Sequence, residues 1–359
     1  MTRVAVRILH ASAGPGGGPL ETLLVDARQR LAESHADAFR RLGAADVAIV
    51  AGPPDDTPFG ARLRAIVARD CPDGLVVLGS GALALARPRD LAAFLDVAAG
   101  PPRRALANNR YSADAVAIAG AGALLELPDL PSDNALSRWL AEVAGFEVAD
   151  LATRWRLAID FDSPLDLILA GLDTTAPELT GARARLAAVA GVAANRRAEL
   201  LVAGRTSAST LRWLERNAAS RVRALVEERG LRASSRLALG VDPSLAATRP
   251  PRSLLGELLD RDGPDALGAI LARLADAAVV DTRVLLAHGH GADEGLWPIA
   301  EDRFASDLLL PDRIGDPWLK TLTAAVAQAP IPIALGGHTL VGPALRLALG
   351  VRQEPAVAR

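Results

Sequence analysis

Short apolar runs alternate with longer stretches whose apolar positions recur three and four residues apart, and this alternation dominates the chain. Runs at 4–9, 46–51 and 74–78 predict strands, and the last is apolar throughout, as a strand buried on both faces would be. The stretches 20–42, 59–70 and 88–98 predict helices, the third opening on Arg87-Pro88-Arg89-Asp90. Two strands at 105–107 and 115–119 flank a polar segment, and a helix at 134–144 follows Ser132 and Asp133, whose side chains suit an N-cap. A strand at 155–162 and a helix from 165, begun by Ser163-Pro164, complete this half.

The second half repeats the alternation. Strands are expected at 199–203, 222–227, 278–287 and 331–335, with helices at 179–190, 209–217, 254–259, 265–275, 317–327 and 340–349. The stretch 230–251 reads as loop. Alternating strands and helices imply an α/β fold, a mostly parallel sheet flanked by helices, Rossmann-like in outline. The 359 residues exceed the roughly 250–300 that a single core fills, so two domains are expected, 1–172 and a second α/β domain at 173–359.

Composition narrows the function classes. Forty basic residues against 42 acidic ones leave a net charge of -2, which gives no overall attraction to nucleic acid. Lys320 is the only lysine, so arginine carries nearly all positive charge. Cys71 stands alone, which excludes an intrachain disulfide and a cysteine metal cluster. No apolar run reaches the roughly 18–20 residues that span a bilayer, and the start lacks a signal-peptide core. A cytoplasmic protein without a membrane partner is expected.

Several polar segments stand where strands end. Gly14, Gly16, Gly17 and Gly18 form a glycine-rich loop after the first strand, open enough for backbone N–H groups to approach a phosphate, or a plain surface turn. Ser80 and Gly81 follow the central strand. Asn108, Asn109, Arg110 and Tyr111 lie between two strands, where amides can read a base or sugar and an arginine can grip phosphate; a structural turn is the alternative. Asp160 and Asp162 stand two apart on an expected strand, which would point both carboxylates to one face. Asp162 equally suits the cap of the helix that begins at Pro164.

The first-half order, from Leu42-Gly43-Ala44-Ala45-Asp46-Val47-Ala48-Ile49-Val50 through Asp73-Gly74-Leu75-Val76-Val77-Leu78-Gly79-Ser80-Gly81 to Asp160-Phe161-Asp162-Ser163-Pro164-Leu165-Asp166, resembles the GT-A-like nucleotidyltransferases. Among these it is most similar to the molybdenum-cofactor and phospholactate nucleotidyltransferases. The resemblance covers residues 3–170. It implies a nucleotide or nucleotide-sugar ligand and a magnesium ion (Mg2+) held by one carboxylate after the central strand and by another in the segment of Asp160 and Asp162. This chain departs from that pattern in two places. The first carboxylate position falls at Ser80 or Gly81, and no basic residue follows the glycine-rich loop before Arg28. A divergent nucleotidyltransferase-like protein is expected, or a catalytically inactive homologue acting as a regulatory or scaffolding module.

In the second half, Gly204-Arg205-Thr206-Ser207 and Gly336-Gly337-His338 each follow a strand and open a helix, the geometry of an anion-binding loop, although Thr206 or Ser207 equally serves as an N-cap. Asp281 and Arg283 share a face of the expected strand at 278–287, where they would form a structural ion pair or else face the phosphates of a ligand in a cleft. His288-Gly289-His290 with Asp293 and Glu294 has the look of a zinc motif but lacks the spacing and the ligand count.

Overall fold

Apolar strands too short to bury themselves are covered on both faces by helices, and this builds an α/β structure with two sheets. The computed structural model describes residues 2–14, 16–172, 175–229 and 250–350. Among these, one compact unit comprises residues 2–17 and 22–161, and another comprises 18–21, 162–229 and 250–350. The loop expected over 230–251 lies outside the described residues except for its last two positions.

The first unit is built on β1 (Val4–Ala11), β2 (Asp46–Gly52), β3 (Gly74–Gly79), β4 (Arg104–Ala107), β5 (Ala115–Ala119) and β6 (Glu147–Asp150), in the order β2-β1-β3-β5-β4-β6. Strand β1 pairs in parallel with both β2 and β3, and β4 pairs in parallel with β6. Strand β5 runs antiparallel between β3 and β4. Because side chains alternate across a strand, Ala5, Leu75, Val77, Val116 and Ile118 face Leu63, Ile66 and Val67 of α2 (Phe59–Asp70) and Leu136 and Leu140 of α4 (Leu136–Glu142). Their neighbours Val6, Ile8, Val76, Leu78 and Ala117 face Ala32, Ala36 and Phe39 of α1 (Pro19–Arg41) and Leu91, Phe94 and Ala98 of α3 (Pro88–Ala98).

One charge sits inside this sheet. Arg7 is 4% exposed and is gripped by Asp46 and Asp70, each at 2.8 Å. A buried cation needs such partners, because desolvation otherwise costs several kcal/mol.

The second unit holds β7 (Glu199–Gly204), β8 (Arg221–Val226), β9 (Ala277–Asp281) and β10 (Ile333–Gly336), all parallel, in the order β10-β9-β7-β8. Its helices are α5 (Pro164–Leu169), α6 (Thr180–Ala193), α7 (Ala208–Asn217), α8 (Leu254–Asp262), α9 (Leu267–Ala272), α10 (Thr282–His290), α11 (Ala300–Asp307), α12 (Pro317–Ala327), α13 (His338–Val341) and α14 (Leu345–Ala348). Strands β9 and β10 are buried throughout, and α6 and α13 both pack against them.

Three local expectations are corrected. The strand expected at 155–162 is a 3-10 turn, Trp155–Ala158, followed by extended chain, and the sheet edge is instead β6, whose Glu147 and Asp150 hid it. The run 278–287 is β9 followed by α10: Asp281 accepts the Arg283 N–H and caps a helix where the apolar run continues. The helix at 340–349 is divided into α13 and α14 around Gly342 and Pro343. Helix α11 was not foreseen.

Gly74 opens β3 directly beneath the end of α3, and a Cβ there would stand 2.0 Å from the Ala98 carbonyl oxygen. Backbone cannot yield as a flexible side chain can, so Gly74→Ala is expected to destabilise the chain by about 1–3 kcal/mol. Urea unfolding checks this; an unchanged midpoint would contradict so tight an approach of helix and strand.

Candidate functional site

In the first unit β2 lies on one side of β1 and β3 on the other, so the chain changes direction of progress across the sheet between β1 and β3. In open α/β sheets such a switch leaves a crevice beyond the carboxyl ends of the strands, where ligands bind. His10 near the end of β1 and Ser80 after β3 meet there: His10 Nδ1 and Ser80 Oγ share a hydrogen bond of 3.0 Å, and the Ser80 N–H donates to the Leu9 carbonyl. Both side chains are buried. Burial pushes the His10 pKa below its ordinary 6.5, the positive charge of Arg28 acts in the same direction, and Glu33 opposes them.

The next residue explains its own identity. A Cβ on Gly81 would stand 2.6 Å from Asp160 Oδ1 and 3.1 Å from Arg28 Nε. Arg28 Nε donates to the Phe161 carbonyl at 2.6 Å, and the Phe161 N–H donates to the Gly81 carbonyl at 3.2 Å and to Asp160 Oδ1 at 2.8 Å. A guanidinium and a carboxylate therefore stand where a side chain at 81 would project.

The remaining first-unit candidates divide. Asn108 is buried and holds the β4–β5 connection: its amide donates to Asp114 and to the Leu157 carbonyl, and its oxygen accepts from the Asp114 and Ala115 N–H groups. Its side chain is committed to the fold. Asn109 accepts from the Tyr111 N–H in an exposed turn that also carries Arg110. Beside this turn is a cavity of about 130 Å³, lined by Leu9, Phe59, Asp114, Asp133 and Leu136 among others. That is smaller than the roughly 300–1,000 Å³ pockets that enclose small-molecule ligands. Gly14 and Gly16 border open space, and Gly17 N–H closes a turn on Gly14.

Gly18 belongs to the second unit, where a Cβ on it would stand 2.2 Å from Glu301 Cδ. The Leu20 and Glu21 N–H groups at the start of α1 donate to the Glu301 carboxylate at 3.0–3.2 Å. The anion held by these amides is the protein's own side chain.

The carboxylates do not fit a resident magnesium ion. No strand runs through 160–162, so the same-face argument for Asp160 and Asp162 fails. Asp160 lies in the knot with Arg28 and Gly81, and Asp162 belongs to the second unit, half-exposed, with its Oδ2 at 3.9 Å from His338 Nδ1. Among the described residues no group of three or more His, Cys, Asp or Glu is arranged to hold a metal. Nor is Asp162 the helix cap: Ser163 accepts from the Leu165 N–H, and Asp166 accepts from the N–H groups of Asp162 and Ser163. Asp166 is fully buried, which raises its pKa well above the usual carboxylate value, and Asp162 adds to the shift.

The second unit also has a switch, between β7 and β9. Gly204 has φ +123°, and a Cβ on it would meet Asp281 Cβ at 2.2 Å, so glycine alone fits this position. Arg205 makes a two-pronged ion pair with Asp281, at 2.6 and 3.1 Å. Arg283 does not pair side chain to side chain with Asp281; it grips Asp307 with both terminal nitrogens. Burial opposes the Arg283 charge, but Asp307, Asp281 and Asp166 together outweigh it and keep the pKa raised. Ser207 caps α7, and the Thr206 hydroxyl is buried without a hydrogen-bond partner. At the end of β10 the Gly336 carbonyl accepts from the Thr282 hydroxyl, and Gly337 and His338 lead into α13. His288 is structural: Nδ1 accepts from the Ser253 N–H and Nε2 meets Asp260 at 3.0 Å.

Sequence reasoning passed over His10, Arg28 as a site residue, and α11 with Glu301, Arg303 and Asp307. A helical signal was available in α11, since Glu301 and Asp302 sit in its first turn and Phe304 and Ala305 face inward. No family model matches the chain, and no curated protein matches it.

Because folding favours the neutral His10 ring, the unfolded chain binds more protons below pH 6.5 than the folded one. The stability that neutral His10 contributes is complete above about pH 6.5 and declines as pH falls toward its lowered pKa. Denaturant unfolding across this range should show a shallower pH dependence in His10→Gln than in the wild type; equal slopes would contradict a buried neutral His10.

Proposed function

We propose that the first unit binds a nucleotide or nucleotide sugar in the crevice between the carboxyl ends of β1 and β3, and acts there as a binding module of nucleotidyltransferase-like fold. The observation that carries this reading is the convergence of His10, Ser80, Arg28 and Asp160 on one switch point. The α/β architecture with its mostly parallel sheet is the framework that the resemblance to nucleotidyltransferases implies. Arg28 would supply the positive charge for a phosphate oxygen, fixed in direction by its bond to the Phe161 carbonyl. The Ser80 hydroxyl, tied to a neutral imidazole, would give a second polar contact whose proton can be shared either way.

Binding without transfer is favoured over transfer for one reason. Nucleotidyl transfer of the kind the resemblance implies needs a carboxylate at position 80 or 81 to hold a cation, and the space beside Gly81 is occupied by Asp160 and Arg28. A guanidinium neutralises phosphate without needing that seat.

Calorimetric titration with ATP, GTP, CTP and UTP, each with and without magnesium, tests this. One nucleotide is expected to bind in either condition, and Arg28→Gln should weaken it roughly tenfold or more, the loss of one charge-assisted hydrogen bond of about 1.5–3 kcal/mol. Binding that requires magnesium would favour an active transferase instead. No binding of any nucleotide would leave the scaffolding role.

A further inference from the structure

We propose that the second unit carries its own oxyanion site at the carboxyl edge of its sheet, built on Arg283 and Arg303, and that its ligand is a phosphate-bearing small molecule. This inference does not depend on the nucleotide reading of the first unit.

Two guanidinium groups are drawn together around α11. Arg303 and Asp307 are four residues apart and therefore share a helix face. Asp307 holds Arg283 through both carboxylate oxygens, so Arg303 is brought beside a second guanidinium. Burial lowers the pKa of Arg303, the charge of Arg283 lowers it further, and Asp307 opposes them in part. Among the described residues its ion pair is with Glu294, 3.9 Å away, and its buried Nε has no hydrogen-bond partner. It is held instead against the ring of Trp297, 5.7 Å from the centroid, and that ring is anchored by its own N–H on the Gly291 carbonyl.

Such an arrangement is costly unless something offsets it, since two neighbouring, partly buried cations repel and a buried guanidinium N–H without an acceptor forfeits its hydration. The surrounding acids do not offset it fully. Asp281 is engaged by Arg205 and Asp307 by Arg283, and burial disfavours the charge of Asp166.

A further donor without a partner lies in α13, which follows β10. The Thr339 hydroxyl, just after β10, is 2% exposed and has no partner. Two residues earlier, the point where a Cβ on Gly337 would stand is 3.7 Å from Arg283 Nε, so the chain entering α13 runs alongside the guanidinium. His338 stands half-exposed between these two residues. Guanidinium N–H groups and a hydroxyl in excess of acceptors match a group with several anionic oxygens. A phosphate presents three or four of them, more than a carboxylate can.

The test uses the full chain with inorganic phosphate as the probe, reading both thermal unfolding and 31P NMR line width. Phosphate should raise the unfolding temperature and broaden the line for the wild type. Arg303→Gln should weaken phosphate binding roughly tenfold or more, as loss of a charge-assisted hydrogen bond does, while melting no lower than wild type in phosphate-free buffer, because it removes a poorly paired buried charge. Thr339→Val, which keeps the shape and removes the hydroxyl, should also weaken binding without lowering the melting temperature. Arg28→Gln should respond to phosphate as the wild type does. The proposal is overturned if wild type shows no response, if Arg303→Gln and Thr339→Val both respond undiminished, or if the response disappears in Arg28→Gln, which would assign the phosphate to the first unit.

Discussion

Strands β3, β5, β9 and β10 are buried almost from end to end, because helices cover both faces of each sheet. A chain built this way has few places for a charged side chain inside, since an ion taken from water without a partner costs several kcal/mol. Arg7 is the exception within a strand, and it is held by two carboxylates. Most other buried charges are displaced to strand ends and helix starts, where backbone N–H groups and opposite charges can meet them.

The two units meet this constraint in the same way. At the first switch point Arg28 and Asp160 fill the space beside Gly81; at the second, Arg205 and Arg283 are locked by Asp281 and Asp307. Glycine marks each place because a side chain would collide with the charged knot: Gly81 with Asp160, Gly204 with Asp281. Side chains fixed in this manner are preorganised, so a ligand arriving at the crevice does not have to immobilise them. The same fixing explains why the first knot does not suit a magnesium ion. A cation that is already part of the fold stands beside the carboxylate that would have to bind one.

Much of this architecture was legible in the sequence wherever local signals agree. The run 74–78 is apolar without interruption and became β3, and Arg87-Pro88-Arg89-Asp90 opened α3, with Asp90 reaching back to the Arg87 N–H. Legibility failed where one signal covers two structures. Val279 and Val280 in β9 and Val284 to Leu286 in α10 form one apolar stretch, and only the capping role of Asp281 divides it. Strand β6 is short and polar at both ends, so it carries almost no hydrophobic pattern. The candidate site was hardest to read because its contacts are distant: Arg28 meets the Phe161 carbonyl 133 residues later in the chain, and nothing in the residues around either one announces the pairing. The glycine-rich loop misled for a related reason, since the carboxylate seated on the α1 amides comes from Glu301.

Hydrogen–deuterium exchange of the full chain, with and without the nucleotide that binds, examines the first crevice directly. Slower exchange confined to the segments around His10 to Ser12 and Gly79 to Ala82 is the predicted result. Slowing around Gly204 to Ser207 and Gly336 to Thr339, with none at the ends of β1 and β3, would contradict the assignment of the nucleotide to the first unit.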